Sequence, residues 1–202
     1  MLTIWGRLNS HNVKKVAWLA EEIGLEYRRH DVGGTFGMDA AYLALNPNAL
    51  IPTIEDDGLV LWESNAILRY LAARYAPALW PADIGQRAQA DKWMDWQFAF
   101  ADTQRDAFQT LVRKPAADRD PAVIARGAQA TSKMMALVED VLARQTWLTG
   151  DSFGIADIPM GVYAHTWFTL DLPRGEFPHV RRWYQALQAR PGYRANVMIA
   201  LT

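Results

Sequence analysis

Three short groups of residues in this chain have types and spacing suited to chemistry: Ser10-His11-Asn12, Ile51-Pro52 and Glu63-Ser64. Proline has no N–H for a sheet ladder, so Pro52 at the start of a strand has two readings. It is an ordinary trans proline at a sheet edge, or a cis bond that presents the backbone N–H and C=O of Ile51 to an extended ligand. Glu63-Ser64 falls where a strand passes into a helix, whose first N–H groups lack partners and favour an anion. There Ser64 can donate to a ligand carboxylate while Glu63 accepts from an ammonium; alternatively Ser64 is only a helix cap. Ser10 is open to the same pair of readings, a cap or a hydroxyl set against a bound thiol. A hydrogen bond to a charged group is worth roughly 1.5–3 kcal/mol, enough to lower a thiol pKa by about one to two units. The helix dipole adds ~0.3–1 kcal/mol, which makes thiolate the main species near neutral pH. Together the three groups describe a site for a peptide-like ligand.

The elements that must position them are legible in outline. Leu2–Trp5 reads as a buried strand, and apolar residues at 13, 16, 17, 20 and 23 mark a helix stopped by Gly24. Residues 25–32 resume as a strand, 33–37 form a glycine-rich loop, and 39–45 form a short helix halted at Asn46-Pro47. Residues 52–55 and 59–62 flank Asp56-Asp57-Gly58 as a hairpin, and a helix capped by Ser64 follows. This gives βαβαββα over residues 1–78. Beyond a Pro-punctuated linker at 76–83, only helical patterns remain, at 87–113, 124–142, about 155–169 and 179–189. The fold class is α/β followed by all-α, with the helical domain over 85–202. Asp157, three residues after Gly154, reads as a folding element at a helix start rather than a catalyst.

Composition excludes several classes. Of 202 residues half are hydrophobic, nine are tryptophan and none is cysteine, and the net charge is −1. Without cysteine there is no protein thiol nucleophile, thiolate metal site or disulfide. The four histidines lack metal-ligand spacing, so no metal is expected, and the absence of a basic stripe argues against nucleic acid. No apolar run approaches a membrane span and the N-terminus lacks signal-peptide features, so a cytoplasmic protein is expected.

Two of the motifs, taken in register, resemble a known family. Asn46-Pro47-Asn48-Ala49-Leu50-Ile51-Pro52 is similar to the Asn-Pro-x-Gly-x-Val/Ile-Pro loop of the cytosolic glutathione transferases. Trp62-Glu63-Ser64-Asn65-Ala66-Ile67 is similar to their Glu/Gln-Ser-x-x-Ile segment, which holds the γ-glutamyl group. The resemblance runs over essentially the whole chain. It implies a thioredoxin-like N-terminal domain, a cis Pro52, glutathione as co-substrate and a homodimer. The site residues carried over are Ile51, Pro52, Glu63 and Ser64 for glutathione and Ser10 with Asn12 at the sulfur. Ser10 points to the serine-type (theta- and zeta-like) or a related bacterial branch, and no tyrosine precedes Tyr27. Trp96, Phe100, Gln104, His165 and Trp167 are candidates for an apolar electrophile pocket, with core packing as the alternative. Conjugation or hydroperoxide reduction is the expected activity. A glutathione-binding interaction protein, or a specialised dehalogenase, ether-cleaving enzyme or isomerase, is the rival. Ala49 stands where the family has glycine, so a different loop path before Pro52 is expected.

Overall fold

A computed structural model describes residues 1–202 as two compact units, one of Met1–Ala82 with Arg190–Ile199 and the other of Asp83–Ala189 with Ala200–Thr202. The first unit is built on a four-stranded sheet of β1 (Leu2–Trp5), β2 (Tyr27–His30), β3 (Thr53–Asp56) and β4 (Leu59–Trp62), in the order β2-β1-β3-β4. β1 runs parallel to β2 and antiparallel to β3. The β3–β4 hairpin turns through Asp57 and Gly58, both with positive φ, which matches the twist of the flanking strands.

Around this sheet lie α1 (His11–Glu22), α2 (Ala40–Leu45) and α3 (Ser64–Tyr75). This is the βαβαββα order expected from the sequence. α1 is more enclosed than its amphipathic pattern suggests: every residue from Val13 to Ala20, including Lys14 and Lys15, is buried. Two boundaries differ from expectation. β2 is trimmed to four residues, and Glu63 rather than Ser64 is the cap of α3, with Ser64 its first helical residue.

The register explains why distant motifs meet. Trp5 pairs with Thr53, and Thr53 with Trp62. The segment after β1, the Ile51-Pro52 approach to β3 and the Glu63-Ser64 exit from β4 therefore leave the sheet at the same end. Gly6 makes the approach close. It sits at φ +147, and a Cβ there would lie 2.5 Å from Val13 Cγ2 and 3.2 Å from Ile51 Cβ.

The second unit is helical: α4 (Ile84–Phe108), α5 (Pro121–Leu142), α6 (Asp157–Thr169) and α7 (Pro178–Gln188). α4 ends in a wider five-residue turn, Gln109–Arg113. α4 and α5 approach closely at Gly127, where a Cβ would fall 2.7 Å from the Ala107 methyl. Asp157, fully buried, is the knot of this unit. Its Oδ1 accepts from Leu148 N (3.1 Å) and Trp183 Nε1 (2.8 Å), and its Oδ2 from Gly154 N (2.9 Å).

A final helix, α8 (Pro191–Asn196), was not evident in the sequence pattern and belongs to the first unit. It packs on α1: Tyr193 meets the Trp18 ring edge-on at 4.8 Å, and Lys14 Nζ donates to Val197 O at 3.1 Å. No helix is long and apolar enough to cross a membrane.

Candidate active site

The Asn46–Pro52 loop is fixed by buried polar groups. Asn46 Nδ2 donates to Leu50 O (2.9 Å) and Thr53 Oγ1 (3.1 Å), while its Oδ1 accepts from Asn48 N (3.1 Å). The Tyr42 hydroxyl, at the other side, donates to Leu50 O and lies 3.0 Å from Thr53 Oγ1. Leu50 O is thereby doubly occupied, whereas Ile51, the next residue, makes no backbone hydrogen bond within the chain. The Ile51-Pro52 bond is cis. Ala49 adopts φ +53, so the loop keeps a left-handed turn with alanine in it.

Across the sheet end, Glu63 is held at φ +71, another left-handed non-glycine residue. Such positions cluster where the surroundings fix a functional geometry. The turn leaves Glu63 exposed and sends the buried Ser64 into the first turn of α3. Asn12, Ile51, Pro52, Glu63 and Ser64 line one cleft of about 70 Å³. Asn46, Asn48, Leu50 and Trp62 complete its walls. Ser10 is not among the lining residues; it stands at the cap of α1, two positions before Asn12. Its hydroxyl makes no capping bond and no other hydrogen bond within the chain. The capping alternative for Ser10 is therefore not what the structure holds.

Lys15 is the residue that the sequence reading passed over. It is fully buried on α1, and its Nζ lies 3.3 Å from Ser64 Oγ and 3.2 Å from Asn65 Oδ1. Burial pulls its pKa down to about 7, opposed by the Glu63 carboxylate. A signal was present in the adjacent pair Lys14-Lys15 inside a helix whose neighbours on both sides are apolar. Lys14 is likewise lowered, to about 8, by burial.

The five residues read as an electrophile pocket are divided by the structure. Phe100, Gln104, His165 and Trp167 are buried. Gln104 Nε2 donates to Tyr163 O (3.1 Å), His165 Nδ1 lies 2.8 Å from the Tyr184 hydroxyl, and Trp167 meets Phe177 edge-on at 5.4 Å. Trp96 alone keeps exposed surface. It stacks on Phe100 at 5.8 Å and lines, with Trp93, Leu137 and Val141, a cavity of about 330 Å³. No group of His, Cys, Asp or Glu side chains is arranged to hold a metal.

Comparison with known proteins agrees with this geometry. Residues 9–74 match the family described as Glutathione S-transferase, N-terminal domain, and residues 121–186 match Glutathione S-transferase, C-terminal domain. The chain is 42% identical to glutathione S-transferase GstB of Escherichia coli K12, with both chains covered completely. It is 33% identical to glutathione S-transferase 3 of Zea mays over 97% of this chain and 93% of that one. A theta class glutathione S-transferase of Xanthomonas axonopodis pv. citri, solved with glutathione bound, superimposes with a TM-score of 0.95 at 49% identity. That match covers 100% of this chain and 99% of the other. Both halves of the chain are thus matched, and the chain belongs to the glutathione S-transferase family.

Proposed function

We propose that the protein is a glutathione transferase that binds glutathione along the sheet-end cleft and activates its thiol from the α1 side. The cysteinyl backbone pairs with the unused N–H and C=O of Ile51, adding a short strand beside Pro52. The γ-glutamyl ammonium donates to Glu63, and its carboxylate accepts from the Ser64 hydroxyl at the positive end of α3. This places the sulfur toward the start of α1, where the Ser10 hydroxyl, with Asn12 beside it, donates to the thiolate. The thiolate attacks an apolar electrophile or reduces an organic hydroperoxide, and catalysis is mostly thiol activation and proximity. Trp96 offers the second substrate an accessible aromatic surface; Phe100, Gln104, His165 and Trp167 act as the packing behind such a wall. A cytoplasmic homodimer is the expected assembly.

The observation that carries this reading is the Ser10 hydroxyl, which stands at a helix start without a partner in the chain. The relatives named for this activity, and the glutathione-bound Xanthomonas protein, support it. Titrating glutathione while recording thiolate absorbance, with wild type and Ser10→Ala, tests it. The thiol pKa should rise by about one to two units in the variant, with conjugation of an aromatic halide at neutral pH falling roughly 10–100-fold. Glutathione bound to the wild type as neutral thiol at pH 7 would sink the mechanism.

A further inference from the structure

Lys15 has no part in the reading just given, and its placement is costly. A lysine ammonium is almost never fully buried, and burial disfavours its charged form by desolvation. The nitrogen meets two side chains of α3, Ser64 Oγ and Asn65 Oδ1, at hydrogen-bond distance. Ser64 at the same time lines the cleft.

The hydrogen-bond inventory gives this arrangement a direction. An ammonium has three donors and no acceptor, so toward Lys15 the Ser64 oxygen can only accept. Its own proton must then point elsewhere, and the cleft is the open side. Resting on the proposed glutathione site, we propose that Lys15 is a positioning residue for the γ-glutamyl carboxylate. It orients the Ser64 hydroxyl to donate into the cleft and supplies the positive charge that makes a carboxylate welcome there. A neutral amine would reverse this, because its lone pair lets Ser64 donate inward and removes the donor from the ligand.

Among the charged groups near Lys15, the Glu63 carboxylate at the cap of α3 raises its pKa against the lowering by burial. Lys14, next to it on α1, is directed instead at Val197 O, and the other titratable residues of α1 are His11, Glu21 and Glu22. Beyond Ser64 and Asn65, α3 carries Arg69, and Arg74, which pairs with Asp56 and Asp57; α8 carries Arg194. With the free protein's Lys15 titrating at about 7, the ammonium is lost as pH rises from 6 to 8. Affinity for a ligand carboxylate at Ser64 should fall in the same interval.

Calorimetric titration with two thioethers decides the matter, since neither has a titrating thiol. One is S-methylglutathione; the other is its counterpart with 4-aminobutyrate in place of the γ-glutamyl residue, which keeps the amine and lacks the carboxylate. Wild type should bind S-methylglutathione about tenfold more weakly at pH 8 than at pH 6, and the second ligand about equally at both. Lys15→Met should lose roughly tenfold or more at pH 6 for S-methylglutathione alone. Lys15→Arg, which cannot lose its charge, should flatten the pH profile. The proposal is overturned if the methionine variant loses equally on both ligands, or if the wild-type preference for the carboxylate does not shrink with pH. The wild-type comparison stands even if no variant folds. Failure of wild type to bind either thioether would instead remove the glutathione site itself.

Discussion

An alanine at φ +53 brings its Cβ close to the following carbonyl oxygen, at a cost of roughly 1–2 kcal/mol. Ala49 tolerates this because the loop ends are held by Asn46 and Tyr42 through Leu50 O. Ala49→Gly should stabilise the protein by about 0.5–1 kcal/mol, the relief of strain less the extra chain entropy of glycine. Urea unfolding would measure it, and an unchanged midpoint would show that the loop carries no such strain. Glu63 is in a similar conformation at φ +71, but there glycine would remove the carboxylate that the proposed ammonium contact uses. Ile51, Pro52, Glu63 and Ser64 were legible as candidates from the resemblance of two short motifs to a known family, and they line one cleft. Lys15 was not. The adjacent lysines of α1 were a sign of buried amines, but a helical pattern does not tell what such an amine meets.

At the scale of elements, the sheet end is set by pairing and the helical unit by one carboxylate. The hairpin could be read from Asp56-Asp57-Gly58, yet the register Trp5–Thr53–Trp62 that unites the motifs could not, since strand order is a long-range property. The helical patterns placed α4 to α7 to within a few residues, but burial of Phe100, Gln104, His165 and Trp167 depends on how four helices meet. Periodicity shows that a face is apolar without saying whether it faces a core or a ligand. Asp157 links the start of α6 to Leu148 and to Trp183 on α7. Asp157→Ala would leave two buried donors, Leu148 N and Trp183 Nε1, and the part-buried Gly154 N without this acceptor, at roughly 1–3 kcal/mol for each buried one. Partial relaxation brings the expected loss to about 3–5 kcal/mol, read as a lowered urea midpoint. A loss below about 1 kcal/mol would mean that Asp157 is not the fastening it resembles.

On the scale of the whole molecule, the chain leaves its first unit at Ala82 and re-enters it at Arg190. Composition gave a boundary near residue 80 and no sign of this return, because α8 is only six residues long and its pattern is too short to register. What α8 covers is substantial. Trp18, Tyr193 and Val197 are fully buried, Lys14 Nζ is bonded to Val197 O, and Arg190 pairs with Glu22. At ~1.5–3 kcal/mol per large buried apolar side chain, losing these contacts removes on the order of 5 kcal/mol. That rivals the total stability of many domains. A chain stopped after Ala189 should lose the cooperative thermal unfolding of its first unit, followed by circular dichroism and glutathione binding. A melt within a few degrees of the full chain would refute this.

The same return fixes an order of events during synthesis. Domains commonly fold from the N-terminus as they emerge. Here the unit that emerges first lacks the helix that covers Trp18 until Asp83–Ala189 has been translated. The helical unit is thus able to fold while its predecessor waits with an open flank. The first unit, although encoded at the start of the message, has all of its residues only once Arg190–Ile199 has been made.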